Sequence, residues 1–207
     1  LREASAAAAE AAAAGEAPPG GGDQPIRALE VLAVIIAAAA HDMDHTAQNN
    51  AFHILTGSEL ALRYNDRSVL ESHHCCKLFT LLARPECNIL ANLSPAQRRQ
   101  VRDLIVPMIL GTDMAFHFQK VDKFKAMRAA GDLDCSKPEV KSFVLEMLLH
   151  CADVANPTRP QPTYRMWIGR VMEEFFQQGD LEKASGLPAA QHAEAAVLVP
   201  AHLPTPS

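Results

Sequence analysis

Five consecutive residues, His41-Asp42-Met43-Asp44-His45, bring two imidazoles and two carboxylates together directly after an apolar run over residues 31–40. Adjacent His41 and Asp42 offer a nitrogen and an oxygen ligand from one point of the backbone. His45 follows His41 by about one helical turn, so both rings can face one site. A carboxylate able to bridge two cations beside an imidazole suits a hydrolytic metal centre. The same residues also fit a polar helix end with solvated charges, and spacing alone leaves both readings open.

Two further clusters have similar chemistry. In the segment from Tyr64 to His74, Ser68 can cap the helix that follows, and Glu71 and His74 stand at i, i+3 on one face. That face adjoins Leu70, Leu78 and Leu81, so a carboxylate and an imidazole there can orient ligands or water, or form an ordinary intrahelical pair. In His150-Cys151-Ala152-Asp153-Val154-Ala155-Asn156-Pro157, Asp153 lies near the end of an apolar helix. A charge among core residues is costly unless paired or bound to a cation, which makes Asp153 a candidate ligand; a helix-end carboxylate reaching solvent is the alternative. Thr112-Asp113-Met114, at the end of another apolar helix, repeats the theme.

The elements that must carry these residues read as helices. Ser94-Pro95-Ala96-Gln97 is a capping box with Pro at the first helical position, opening a stripe of Val101, Leu104, Ile105, Met108 and Ile109. Ser136-Lys137-Pro138-Glu139 reads as a second capping box, whose helix should run to about Val154, before Asn156-Pro157. Tyr164, Trp167, Ile168, Val171, Met172, Phe175 and Phe176 form the cleanest apolar stripe, with Gly179 as its expected stop. No segment alternates convincingly as a strand, so the fold class is all-α, a compact multi-helix bundle. Residues 1–25 are an Ala/Gly/Pro-rich segment expected to be a disordered linker, 26–188 the domain, and 189–207 an irregular tail.

Composition narrows the function. The 207 residues suffice for one domain with a sizeable core. A net charge of −5 offers no basic surface for nucleic acid. No apolar run is long enough for a membrane span. Five scattered cysteines without a framework read as reduced thiols, hence a cytoplasmic expectation, and Cys75-Cys76 as two small helix residues. The chain begins at Leu1, so a targeting signal is not observable.

Taken together and in order, these segments resemble the catalytic domain of class I cyclic nucleotide phosphodiesterases. The likeness rests on His41-Asp42-x-Asp44-His45 with Asn49 and Phe52, Ser58-Glu59-Leu60-Ala61, and Tyr64-Asn65-Asp66-Arg67-Ser68-Val69-Leu70-Glu71 with His73-His74. Thr112-Asp113-Met114, Ala152-Asp153-Val154-x-Asn156-Pro157, and Trp167 with Met172-Glu173-Glu174-Phe175-Phe176-x-Gln178-Gly179-Asp180 follow. The match covers about residues 27–188, and the stretches from Asn65 to His74 and Thr112 to Gln119 look most similar to calmodulin-regulated members.

The resemblance implies a bundle of the HD/phosphodiesterase type and two divalent ions. His41 and Asp42 would bind a tightly held zinc-like ion, with Asp153 as its other carboxylate, and Asp42 would bridge to a magnesium- or manganese-like ion. His45, Glu71, His74, Thr112 and Asp113 would surround the metal-bound waters, and Asn156 and Met114 would lie near the nucleotide. A hydroxide between the metals would attack the phosphorus of cyclic AMP or cyclic GMP, and the 3′-oxygen would leave, giving the 5′-monophosphate.

The chain also departs from the family pattern. Family members carry Tyr-His-Asn-x-x-His-Ala upstream, with a proton-donating His and a metal-binding His, whereas no His precedes His41. Gln191 is the only glutamine after Gln178, and no Phe follows Phe176, so the residues that grip and stack on the base have no counterpart. Ser72 stands where the family usually has Asn, and Ala47 where it usually has Gly. These differences lead us to expect a domain truncated at both ends, with an incomplete first metal site and little turnover. Losing a general acid costs about 10²–10⁴-fold in rate. The alternative is an inactive remnant serving as a metal- or partner-binding module. A broader HD-type metallophosphohydrolase is a third reading, against which the Tyr64-to-Glu71 segment argues. The stripe from Tyr164 to Phe176 is expected to lose packing partners and favour self-association.

Overall fold

The computed structural model describes residues 26–187, so the expectations for residues 1–25 and 189–207 lie outside the described residues. Among the described residues there are eight α-helices and no strand, as the sequence leads one to expect. In chain order they are α1 (Ala28–Ala40), α2 (Asn50–Leu55), α3 (Glu59–Tyr64), α4 (Val69–Leu82), α5 (Pro95–Leu110), α6 (His117–Ala130), α7 (Pro138–Asp153) and α8 (Gln161–Ala184).

The core forms where α1 and α5 meet. Ala33, Ile36, Ala37 and Ala40 recur at helical spacing and are buried, and three small side chains in four let α5 approach closely. From α5, Val101, Ile105, Met108 and Ile109 fill the interface, with Leu145 and Leu149 of α7 and Leu78 and Leu82 of α4 around them. The start of α5 forms as the sequence dictates: Ser94 Oγ accepts from Gln97 N–H at 3.2 Å, and Gln97 Oε1 accepts from Ser94 N–H at 2.9 Å. At α7 the expected capping box is not made. Pro138 holds Lys137 extended as the N-cap, and the Ser136 N–H turns to Asp134 Oδ1 at 2.9 Å.

Helix α6 has no buried residue. It is held to α7 by a row of specific contacts. His117 Nδ1 lies 2.8 Å from His150 Nε2. Lys120 pairs with Glu146 at 2.8 Å and also donates to the Gly111 carbonyl. Phe124 and Lys123 both rest against the Phe143 ring. At the other end of α7, Lys141 reaches the largely buried Glu30 of α1 at 3.2 Å.

Helix α8 corrects the sequence reading of where it stops. It runs through Gly179, which is buried, and stops five residues later. The stop is at Gly186, whose φ of +67° suits a residue without a Cβ. There Gly186 N–H donates to Lys183 O, and Leu187 N–H to Glu182 O. Its apolar stripe is not buried: Trp167 is 47 % and Phe176 56 % exposed. The buried residues of α8 are Gln178, Gly179 and Glu182 instead. Helix α8 packs mainly on the turn at Asn156–Thr158, and Gln178 Oε1 accepts from Asn49 N–H at 2.8 Å.

All five cysteines are free. Burial pushes the Cys75 thiol up to about 11, so it packs rather than reacts. Among the described residues no helix is long and apolar enough to cross a membrane.

Candidate metal centre

Burial of α1 sets where its C-terminal end points, and His41 is the cap there. Its Nδ1–H donates to the Ala38 carbonyl at 3.0 Å, which turns Nε2 outward. Nε2 lies 3.2 Å from Asp153 Oδ1, at the last residue of α7, and 3.2 Å from Asp42 Oδ2. With one nitrogen committed to a carbonyl, the other faces two carboxylate oxygens. Without a cation that arrangement requires a proton. The hydrogen bond His41 donates to Asp153, then that to Asp42, accordingly push the His41 pKa up to about 10. A divalent cation at the same point meets a nitrogen and two oxygens once that proton leaves.

The other side of Asp42 repeats the pattern. His74, on α4 and only 1 % exposed, donates Nδ1–H to the Met43 carbonyl at 2.7 Å. Its Nε2 then faces Asp42 Oδ1 at 3.9 Å. Burial pushes the His74 pKa down, so the ring presents a lone pair rather than a charge. Asp42 thus has an imidazole nitrogen facing each of its oxygens, with its own pKa lowered first by the bond to His41. Both imidazoles are oriented by a backbone carbonyl, as metal-ligating histidines usually are.

His45 stacks on His74 with ring centres 5.7 Å apart. Its Nδ1 accepts the Ala47 N–H at 3.0 Å, so the neutral ring carries its proton on Nε2 and is a donor. The turn that makes this bond puts Ala47 at φ +62°, the left-handed region where the family's usual glycine sits without strain. Ligand atoms of Asp42, His45 and His74 lie within 4.8 Å of one another, as do those of His41, Asp42 and Asp153. The two sets share Asp42. The first offers one nitrogen and two carboxylate oxygens, and in the second His74 and Asp42 offer a nitrogen and an oxygen, with His45 beside them as a donor, so the residues present fit divalent cations.

The remaining predicted residues divide. Glu71 is raised in pKa, mainly by burial, and accepts from Asn50 Nδ2 at 2.9 Å. Asp113 is buried and accepts from Ser68 Oγ at 2.7 Å and from Ala115 N–H at 2.9 Å. Thr112 is buried, with its hydroxyl donating to the Ile109 carbonyl at the end of α5. Met114 is 57 % exposed on the following turn. Asn156 has a buried Oδ1 without a hydrogen-bond partner among the described residues. No hydrogen bond or ion pair joins Thr112, Met114 or Asn156 to Asp42 or Asp153. Asp44 turns away from the cluster and pairs with Lys77 and His73, both at 2.9 Å.

Ser68 does not cap α4, contrary to the sequence reading. Its φ of +40° turns the hydroxyl to Asp113 instead. Asn50 was missed altogether, while its neighbour Asn49 caps α2 by accepting Phe52 N–H at 2.9 Å. The side chain of Asn50 joins Leu70 and Glu71, some twenty positions away, a pairing that no local spacing rule registers.

In this all-helical bundle two imidazoles and two carboxylates converge from the ends of α1 and α7 and from within α4, a donor set suited to metal-assisted hydrolysis. The sequence profile of the 3′5′-cyclic nucleotide phosphodiesterases matches residues 21–198, and the chain belongs to that family. It is 47 % identical over 165 residues to the mouse 3′,5′-cyclic-AMP phosphodiesterase 4C, covering 77 % of this chain and 24 % of that protein. It is 46 % identical over 160 residues to the fruit-fly dual specificity calcium/calmodulin-dependent 3′,5′-cyclic nucleotide phosphodiesterase 1, covering 77 % and 19 %. The calmodulin-regulated likeness read from the sequence is therefore present, at the same level as likeness to a cyclic-AMP phosphodiesterase. Among solved structures, the phosphodiesterase domain of Salpingoeca rosetta rhodopsin phosphodiesterase superposes with a TM-score of 0.74 at 42 % identity, covering 77 % of this chain and 49 % of that one. A second structure of that domain gives a TM-score of 0.76 at 42 % identity, with 79 % and 52 % covered. The chain thus spans about a quarter or less of these two curated relatives and about half of the solved domains.

Proposed function

We propose that this chain supplies the carboxylate-bridged metal centre of an enzyme that hydrolyses the 3′-ester of a cyclic nucleotide to the 5′-monophosphate. The observation that carries this reading is Asp42, with one imidazole nitrogen facing each oxygen and Asp153 Oδ1 beside it at the same His41 nitrogen. His41, Asp42 and Asp153 would hold a zinc-like ion, and Asp42 with His74 would serve a magnesium- or manganese-like ion. When bound, such ions lower the pKa of a water and neutralise charge on a phosphoryl oxygen.

The protein's own groups do the rest. His41 and His74 keep their donor nitrogens on backbone carbonyls, so the centre needs little rearrangement to accept ions. His45 offers Nε2–H as a hydrogen-bond donor to an anionic oxygen. Glu71, raised by burial, can take and hold a proton near the reacting group. Asp113 lies near Glu71, with Thr112 the residue before. Asn156, whose Oδ1 has no partner among the described residues, and the exposed thioether of Met114 would lie near the nucleotide. The substrate class follows the relatives, one of them a cyclic-AMP phosphodiesterase and another of dual specificity.

Phosphorus NMR of the purified chain incubated with cyclic AMP or cyclic GMP tests the reading. With zinc and manganese present, we expect slow conversion to the 5′-monophosphate, reduced by the missing general acid and lost altogether on chelation and in Asp42→Asn. Metal binding with no such conversion would replace it by a metal-binding module without turnover.

A further inference from the structure

The start of α4 is built in an unusual way. Ser68 occupies the N-cap position with φ +40° and makes no side-chain cap. The first turn of a helix leaves its N–H groups without intrahelical partners. Here Leu70 N–H donates at 2.9 Å to Asn50 Oδ1, which comes from the first residue of α2. The other end of the same amide, Nδ2, donates at 2.9 Å to Glu71 Oε2. The orientation of the amide is dictated by its partners, because a backbone N–H can only donate and therefore meets the oxygen. Asn50 is itself held in place. The preceding residue, Asn49, caps α2 with its side chain and donates its N–H to Gln178 of α8 at 2.8 Å.

We propose that Asn50 is a positioning residue for Glu71, capping α4 from another helix through Oδ1 while Nδ2 fixes the direction of the Glu71 carboxylate. This deepens the metallohydrolase reading and rests on it for the use of Glu71, although the contact itself does not. The division of labour explains the geometry around it. Because Asn50 supplies the cap, the Ser68 hydroxyl is released to hold Asp113. Asn50 and Ser68 together lock Glu71 and Asp113 into one wall of the centre. The charged and titratable groups facing Glu71 from other elements are Asp113 and His45. Burial and Asp113 both favour the neutral acid, and the Asn50 amide opposes them.

Two variants separate the two jobs. Asn50→Asp keeps an acceptor for Leu70 N–H but sets a like charge against Glu71. Asn50→Ala loses both contacts. The Glu71 side-chain carboxyl is titrated by carbon-13 NMR in the full chain without metal, and Mn²⁺ alone is bound to each variant by water-proton relaxation. We expect Asn50→Asp to keep a thermal midpoint close to that of the parent chain while raising the Glu71 titration midpoint by about one pH unit or more. It should weaken Mn²⁺ by about 10–100-fold. Asn50→Ala should lower the thermal midpoint as well. An unchanged Glu71 titration in Asn50→Asp would overturn the proposal. If the parent chain bound no Mn²⁺, the metal-centre reading would fail, and the Glu71 titration would still decide the role of Asn50.

Discussion

Helices α1 and α8 are both written in apolar residues, yet one is core and the other is not. Ala33, Ile36, Ala37 and Ala40 of α1 are buried against α5, whereas Trp167, Val171 and Phe176 of α8 face outward. The difference lies in the partner rather than in the pattern. Helix α5 brings Val101 and Ile105 to α1, while α8 meets the turn at Asn156–Thr158 and the backbone at Asn49. An apolar period therefore makes a helix, and only a second apolar face makes it core. The functional residues follow the same division. His41, His74 and Asp153 hang from α1, α4 and α7, whose packing fixes them. Asn156 stands beside α8, where packing is thin.

Truncating the two faces should expose this contrast most strongly. Ile105→Ala is expected to cost about 2–5 kcal/mol in urea unfolding, because a fully buried side chain leaves a cavity. Phe176→Ala should stay within about 1 kcal/mol, since the ring is more than half exposed. Equal losses would break the comparison.

The α6–α7 contact sharpens it in another way, because polar groups replace apolar ones there. Burial, then the neighbouring His117 and Lys120, hold the His150 pKa below the ordinary histidine value of about 6.5. Its neutral form is the one the fold prefers. This contribution is therefore complete above about pH 6.5 and lost as pH falls below that toward the lowered folded value. Unfolding free energy measured between pH 7 and 5 should decline in the parent chain and decline less in His150→Gln. Identical profiles would remove His150 as the cause.

A smaller effect is expected at Ala47. Its left-handed conformation costs about 1–2 kcal/mol. Ala47→Gly should recover about 1 kcal/mol of thermal stability, less the added freedom of the unfolded glycine. Smaller still in free energy is the outward face of α8. We expect concentration-dependent sedimentation of the parent chain, reduced by Trp167→Glu, with little change in folding stability. A strictly monomeric chain at high concentration would contradict it.

What could be read in the sequence depended on how far apart the partners lie. The Ser94–Gln97 box was legible because its partners stand three residues apart. The start of α7 was misread because the Ser136 N–H turned back to Asp134, leaving Lys137 to cap the helix. Gly179 looked like a stop because its packing is tertiary, and the real stop came at Gly186. The candidate ligands were legible as residue types. Their arrangement was not, since Asp153 meets His41 across 112 positions. Ser68 meets Asp113 across 45, and Gln178 meets Asn49 across 129.

Calorimetric titration with zinc, comparing the parent chain with the His41→Ala/Asp153→Ala double variant, tests the central claim most directly. Saturable binding that releases about one proton near pH 7, from the His41 ring, and disappears in the variant is the predicted result. Binding that survives the double substitution, or no specific binding to the parent chain, would contradict the assignment of His41, Asp42 and Asp153 as a metal centre.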